Sequence, residues 1–405
     1  MERFYCSTAV AAGFGAVSAL AELELKRLLV VSDPFFYENG TAQHLARVSG
    51  AEKVEYFYDV KPDPSVELAA AGTARIKAFQ PDVVVALGGG SAMDCAKAMH
   101  FFAGSDAKLV AVPTTSGSGS EVTDFAILTH GSVKHPLVDE KLRRSLAILD
   151  GDLLGKLPKT LIADGGFDVL SHAVEAVGAK NAGAVSDALA EAAFRDAFNH
   201  LGASYAGDTQ VRLIVHKAAT MAGMAFSGAG LGLCHAMAHS LGGMFHVPHG
   251  RLNGILLPAV VAVNAEAVGD KYAQLARAAG LGGTATAVGV RNLKNGLVRL
   301  RKELNLPATL AQAGVHPAQV RQKAGEIVAA ALADPCCKTN PVKCDEKLVR
   351  QVLDEVTGLG GNTQKRGPGC GDNHYPGHCF RIDGAESGIG IYGAAAGDHG
   401  SADTI

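Results

Sequence analysis

Residues 82–102 read DVVVALGGGSAMDCAKAMHFF. The run VVVAL is apolar without alternation, as in a strand covered by helices on both faces. It passes directly into three glycines and then into the helical pattern CAKAMHFF, which makes a parallel strand-to-helix junction. Gly88, Gly89 and Gly90 let backbone amides approach an anion at the positive end of the following helix. Ser91 adds a hydroxyl and is expected to cap that helix. Neither a Walker pattern nor a G-x-G-x-x-G fingerprint stands at this junction, so on its own it also fits a tight turn with packing glycines.

Working outward, four more short β-branched runs read as strands, RLLVVSD (27–33), KVEYFYD (53–59), KLVAVPT (108–114) and SLAILD (145–150), and LLVV in the first is apolar without alternation like VVVAL. Helical patterns separate most of them, so the first 156 residues are expected to form a doubly wound, mostly parallel α/β sheet. The polar loop PTTSGSGSEVTDF (113–125) follows the next strand and offers the hydroxyls of Thr114, Thr115 and Ser118 on the edge where open α/β sheets bind ligands. Asp33, at the end of the first of these strands, can accept hydrogen bonds from a ribose and would repel an added 2'-phosphate, which favours NAD over NADP.

From residue 157 the pattern changes to Ala- and Leu-rich helical stretches such as AVSDALAEAAFRDAFNHL, VRLIVHKAATMAGMAF and YAQLARAAGL. A helical domain is expected over 157–358, hinged at Pro158. The Gly-rich remainder, 359–405, has little periodicity and reads as mostly disordered. Its Cys370, His374, His378 and Cys379 fit no common zinc-finger spacing.

The helical half carries two metal-binding signals. GGFDVLSHAVEA places Asp168 and His172 four residues apart on one helix face. GLCHAMAHSLGGMFHVPHG (232–250) places His235 and His239 one turn apart, with the helix expected to end near Gly242 and Gly243 and His249 in the loop beyond. One carboxylate with three imidazoles suits divalent iron or zinc and is poor for magnesium or calcium. His246 is left outside the ligand set, as a packing or substrate-contacting residue.

Bulk properties exclude several classes. The 405 residues are 48% hydrophobic and 19% charged, with a net charge of -3 and no long basic run, so no nucleic acid or membrane partner is indicated. No uncharged apolar stretch reaches the length of a membrane span, and the start lacks a signal-peptide pattern, which points to a cytoplasmic protein. The eight cysteines are scattered and read as reduced thiols.

GGGSAMD, PTTSGSGSEVT, the D-x3-H-A-x-E-A stretch from Asp168 to Ala176 and the H-x3-H-x9-H segment ending in PHG resemble the iron-containing alcohol dehydrogenase family, in order and spacing, from about residue 3 to 357. Within it, MAGMAFSGAGLGLCHAMAHSLGGMFHVPHG and HPLVDEKLRRSLAILD are most similar to the propanol dehydrogenases of propanediol-utilising bacterial microcompartments. The resemblance implies a dehydroquinate synthase-like architecture, NAD, and a divalent metal with iron favoured over zinc. It implies that Asp168, His172, His235 and His249 hold the metal and that His239 stands beside the nicotinamide. Asp33, Gly88, Gly89, Gly90, Ser91, Asp94, Thr114, Thr115 and Ser118 would contact the dinucleotide. The implied activity interconverts a small primary alcohol and its aldehyde, propanal and 1-propanol being favoured. A diol or polyol dehydrogenase, a lyase on the same fold and a non-catalytic binding module are the alternatives. A homodimer or larger oligomer is implied, with an enzyme or shell partner inside a microcompartment as a further expectation; MERFYCSTAV would be either the first strand or a partner-binding segment. Two departures are NPV in place of NPR at 340–342 and the unmatched tail.

Overall fold

A computed structural model describes residues 4–131 and 133–358. The tail from 359 onward, with its four cysteine and histidine positions, lies outside the described residues. The eight strands are β1 (Ala9–Gly13), β2 (Arg27–Ser32), β3 (Lys53–Phe57), β4 (Val83–Gly88), β5 (Lys108–Pro113), β6 (Phe125–His130), β7 (Val133–Val138) and β8 (Leu146–Asp150). Six form one parallel sheet in the order β1-β8-β5-β4-β2-β3. All five expected strand runs are present. Among the described residues of the opening segment MERFYCSTAV, Ala9 and Val10 enter a strand, paired with β8.

Each central strand buries both faces, which is why its sequence does not alternate. Leu28, Val30, Val83, Val85, Leu87 and Val110 pack toward Leu20 and Leu45, while Leu29, Val31, Val84, Ala86 and Ala111 pack toward Ile76, Met93 and Met99. After β2 the chain steps outward to β3, then returns to place β4 on the other side of β2 and proceeds to β5. The crevice beyond the carboxyl ends of β2 and β4 is therefore the topological switch point, where ligands of open α/β sheets bind. Asp33 directly follows β2, and Gly88 ends β4.

The antiparallel hairpin β6–β7 stands outside the main sheet and was not anticipated. It is tied to the glycine-loop helix Gly90–Ala103 by a buried polar cluster. Lys97 donates to the hydroxyls of Ser120 at 3.1 Å and Thr123 at 3.0 Å, and to the carbonyl of Phe125. Asp94 accepts from the Ser120 hydroxyl at 2.9 Å and from the Ile127 amide at 3.2 Å. Satisfied buried networks of this kind fix one arrangement of the elements they join.

Beyond Pro158, at whose position the helix Lys159–Gly178 begins, the chain is helical. The helices Ala184–Ala206, Thr209–Ala229, Leu233–Phe245, His249–Ala278, Thr286–Glu303, Ala324–Ala333 and Glu346–Thr357 follow, and a single apolar cluster runs through this half. The helix His249–Ala278 is long and apolar enough to cross a membrane by length and composition, with a mean hydropathy of 1.5 over its most apolar window. Of that window, 67% is buried inside the protein, and Val268 breaks the helical geometry, so it reads as the central core helix.

Candidate active site

The cradle forms from two neighbouring strand ends. β4 and β5 pair up to Gly88 opposite Pro113, and the Thr114 amide donates to the Gly88 carbonyl at 2.9 Å. Gly88 has φ 145, and a Cβ there would lie 2.8 Å from Ala92 Cβ and 3.7 Å from Asp33 Oδ2. A side chain would therefore strain the backbone and fill the switch-point crevice. Built at Gly89 and Gly90, a Cβ would meet Thr115 Oγ1 at 3.1 Å and Ser118 Oγ at 3.3 Å, so the two loops face each other. Thr115, Ser118 and Ser91 are half-buried, whereas Thr114 is buried.

Three of the expected contacts behave differently from the others. Ser91 does not cap its helix: Gly89 holds the cap position, and Ser91 falls inside the first turn, because the chain turns helical immediately after the glycines. Asp94 points its carboxylate into the buried cluster with Ser120 and Ile127. Asp33 caps the short helix Pro34–Glu38 through a bond from the Phe36 amide at 3.3 Å. Burial raises its pKa, although the Phe36 and Phe35 amides pull the other way.

The second loop connects the cradle to the helical half. A Cβ on Gly117 would lie 3.2 Å from Gly165 Cα and 3.4 Å from Asp168 Oδ2, so a side chain here would crowd this approach. The far end of the cofactor loop thus rests beside the expected metal ligands.

Those ligands converge. Asp168 Oδ1 lies 3.4 Å from His249 Nε2, 3.7 Å from His235 Nε2 and 3.8 Å from His172 Nε2. Ligand atoms of Asp168, His235 and His249 all fall within 4.8 Å of one another. The His172 ring stacks on His235 at 4.6 Å and on Phe226 at 4.3 Å. His235 and His239 sit on the helix Leu233–Phe245, whose axis turns 104° from that of Thr209–Ala229. That helix runs through Gly242 and Gly243 and ends at Phe245, three residues later than expected, with exposed His246 in the left-handed conformation as its cap. His249 is not in a loop: Pro248 fixes the entry, and His249 is the first residue of the next helix.

Electrostatics match a cation site. Burial alone would raise the Asp168 carboxyl, but the three imidazoles outweigh it and hold the group far below the carboxylate range. Burial lowers His172 to about 4 and His249 to about 3 despite Asp168, leaving both neutral with free lone pairs near pH 7. Burial also opposes charge on His235, yet Asp168 and Glu175 together raise it to about 9. Asn253 Nδ2 lies 2.8 Å from Asp168 Oδ1, 3.3 Å from His235 Nε2 and 3.2 Å from His249 Nε2. The Asn253 amide thus stands against the inward atoms of the cluster, a set of one carboxylate oxygen and imidazole nitrogens of the kind a divalent cation accommodates.

Three supporting residues were not expected from sequence. Glu175 Oε2 accepts a hydrogen bond from Nδ1–H of His235 at 2.6 Å, which keeps a hydrogen on Nδ1 and turns Nε2 toward Asp168. The same carboxylate accepts the amides of Gly232 at 3.0 Å and Cys234 at 2.6 Å, closing the start of the histidine helix. Glu175 lies on the face that already carries Asp168 and His172, so helical spacing could have found it. Asn253 lies one turn after His249 and could have been found likewise. Asp334 Oδ2 bonds Nδ1 of His239 at 2.8 Å, and nothing in local spacing points to it. The His239 ring is 35% exposed and lies 5.1 Å from that of His249, at the open side of the cluster. Phe226, with Phe125 at 6.0 Å, forms an apolar wall behind His172.

Comparisons with known proteins agree with this arrangement. Residues 8–151 match the model of iron-containing alcohol dehydrogenase, and residues 162–357 match that of the Fe-containing alcohol dehydrogenase family, C-terminal. The chain is 35% identical to 1-propanol dehydrogenase PduQ of Salmonella typhimurium, over 88% of this chain and 100% of that protein. It is 34% identical to the NADPH-dependent butanol dehydrogenase of Clostridium saccharobutylicum, over 88% of this chain and 98% of that protein. The chain also matches longer aldehyde-alcohol dehydrogenases, of which it spans under half, as with the 44% covered in Entamoeba histolytica. Among solved structures, sulfoacetaldehyde reductase from Bifidobacterium kashiwanohense, in complex with NAD+, superposes with a TM-score of 0.80 at 25% identity, covering 88% of this chain and 99% of that one. With both family models matched in sequence order and the acid and imidazoles of the metal cluster gathered around one buried oxygen, the chain belongs to the iron-containing alcohol dehydrogenase family.

Proposed function

We propose that this alcohol dehydrogenase reduces a small aliphatic aldehyde, propanal being favoured, and oxidises the corresponding primary alcohol, with NAD as hydride carrier and a divalent metal, iron favoured over zinc. The observation that carries this reading is the approach of the cofactor loop at Gly117 to Asp168, so close that a Cβ on Gly117 would lie 3.4 Å from Asp168 Oδ2, which sets the end of the nucleotide cradle against the ligand cluster. Asp168, His172, His235 and His249 would hold the metal. When bound, the metal supplies Lewis acidity that polarises the carbonyl and makes the alcohol easier to deprotonate.

The rest falls to the chain. Gly88–Gly90 and the first turn of the following helix bind the pyrophosphate through amides and the helix dipole, and Thr115 and Ser118 close over it. Asp33 takes the ribose and disfavours a 2'-phosphate, so NAD is expected even though a relative uses NADPH. NAD, when bound, would supply or accept the hydride, and the Phe226 wall would carry the substrate's alkyl portion. His239 exchanges a proton at Nε2, Asp334 holding its Nδ1–H so that the ring stays in the useful tautomer. The apolar wall favours a plain alcohol over the polar substrates of lyases on related folds.

Assembly as a homodimer or larger oligomer, cytoplasmic placement and residence in a microcompartment with enzyme or shell partners belong to the same proposal. They are supported by the 35% identity to PduQ. The test is NADH consumption with propanal, using anaerobically purified protein reconstituted in parallel with ferrous iron, zinc or chelator. Metal-dependent turnover is the expected result. NADH binding without turnover under any metal would redirect the assignment to a polyol or lyase substrate.

A further inference from the structure

Beside the principal cluster, Nδ1 of His239, a carboxylate oxygen of Asp334 and Sγ of Cys336 lie within 4.8 Å of one another. All three residues are half-buried and so open to a small ion. The set combines nitrogen, oxygen and sulfur, the donors zinc and cobalt take together, whereas the principal cluster contains no sulfur.

The segment that carries Asp334 and Cys336 is held before any ion arrives. The Cys336 amide donates to Asp334 Oδ1 at 2.8 Å, so the chain already wraps this carboxylate. Thr339 donates to the Leu231 carbonyl at 2.6 Å, and fully buried Asn340 accepts the Leu233 amide at 3.1 Å. These bonds fasten the segment to the start of the helix that bears His239. Two ligands two residues apart therefore face a third from a packed neighbour, and little further ordering is required.

We propose that His239, Asp334 and Cys336 form a second, thiolate-containing site for a soft divalent cation such as Zn²⁺, and that filling it inhibits the enzyme. Without a cation, Nδ1–H of His239 donates to Asp334 and the thiol keeps its proton. On binding, the imidazole moves its one proton from Nδ1 to Nε2, and the thiol releases its proton to solvent, so one proton leaves per cation. Nε2 then carries a hydrogen and has no lone pair to accept a proton from alcohol. Hard cations such as Mg²⁺ do not drive this exchange, because they compete poorly for sulfur.

The inhibitory half of this inference rests on the role given to His239 above; the site itself does not. Co²⁺ is titrated into enzyme whose principal site is already filled with zinc, and the near-ultraviolet thiolate-to-cobalt charge-transfer band is followed. The wild type should develop the band. Cys336→Ser should lose it, Asp334→Asn should weaken it, and Cys234→Ser and Cys337→Ser should keep it. Cys234 is a necessary control because its thiol contacts Asn253 at 3.5 Å. Added zinc should inhibit each variant's own turnover at concentrations at least tenfold higher, on the order of 10- to 100-fold, in Cys336→Ser than in wild type. A wild type without the band, or a band that survives in Cys336→Ser, overturns the site. A band without inhibition by zinc overturns the inhibitory role alone, and absence of propanal turnover bears only on the substrate.

Discussion

Glu175 Oε2 lies 2.6 Å from Nδ1 of His235 while also accepting the amides at the start of the helix that carries this histidine. One carboxylate thus orients a proposed metal ligand and the element that presents it. Glu175→Gln is expected to weaken metal affinity by about 10- to 100-fold, since the amide supplies only one acceptor and a weaker one. Competition against a chelator measures this directly. Asp168→Ala and His235→Ala should abolish stoichiometric metal, and retained metal in either would contradict a ligand role.

His239 and Asp334 should behave as a unit that leaves the principal metal site alone. His239→Ala is expected to lower kcat by about 100-fold with metal content intact. Asp334→Asn should reduce kcat in the same direction and shift the pH profile of kcat, because the ring loses the acceptor that holds Nδ1–H. Metal analysis at one equivalent of metal per chain, beside steady-state kinetics, separates these outcomes, and loss of the metal at the principal site in His239→Ala would place that residue among its ligands instead.

The switch-point crevice makes a separate prediction about cofactor choice. Asp33→Ser should raise kcat/KM with NADPH relative to NADH by on the order of tenfold, through removal of a negative charge. Gly88→Ala should raise the KM for either cofactor, since the added methyl meets Ala92 Cβ at 2.8 Å in a backbone conformation of φ 145. Unchanged NADPH use in Asp33→Ser would show that the carboxylate does not face the ribose.

Acid stability should report on His216, which is buried and bonded through Nδ1 to the Ser116 hydroxyl at 3.0 Å. Burial lowers its pKa from 6.5 to about 4, so between these values the unfolded chain takes up a proton that the folded chain refuses. Stability from this group is complete above about pH 6.5 and is lost as pH falls toward 4. Between pH 7 and 5 the loss from this one group is about 2 kcal/mol. Urea unfolding of wild type and His216→Gln at both pH values should show the smaller loss in the variant; equal losses would refute the assignment.

The parallel strands were legible because each is a short apolar run ending in turn chemistry, and double burial leaves that pattern on the sequence itself. The hairpin Phe125–Val138 was not, because its strands follow a polar loop and one face leans on the charged cluster of Lys97 and Asp94. Gly242 and Gly243 suggested a helix end, but packing of the histidine helix against its neighbours carried it to Phe245. A local cost of about 1 kcal/mol for each glycine is small beside such burial.

The sequence by itself marked the glycine turn and the pairs Asp168/His172 and His235/His239, because adjacent glycines and helical spacings of four are short-range facts that the backbone enforces. Which groups would aim those residues was decided by the tertiary structure. Glu175 reaches His235 across 60 residues and Asp334 reaches His239 across 95, and Gly117 comes near Asp168 only once the two halves have packed. Spacing along a chain constrains neighbours within a turn or a hairpin, whereas a hydrogen bond between distant carboxylate and imidazole exists only after the core has brought their elements together.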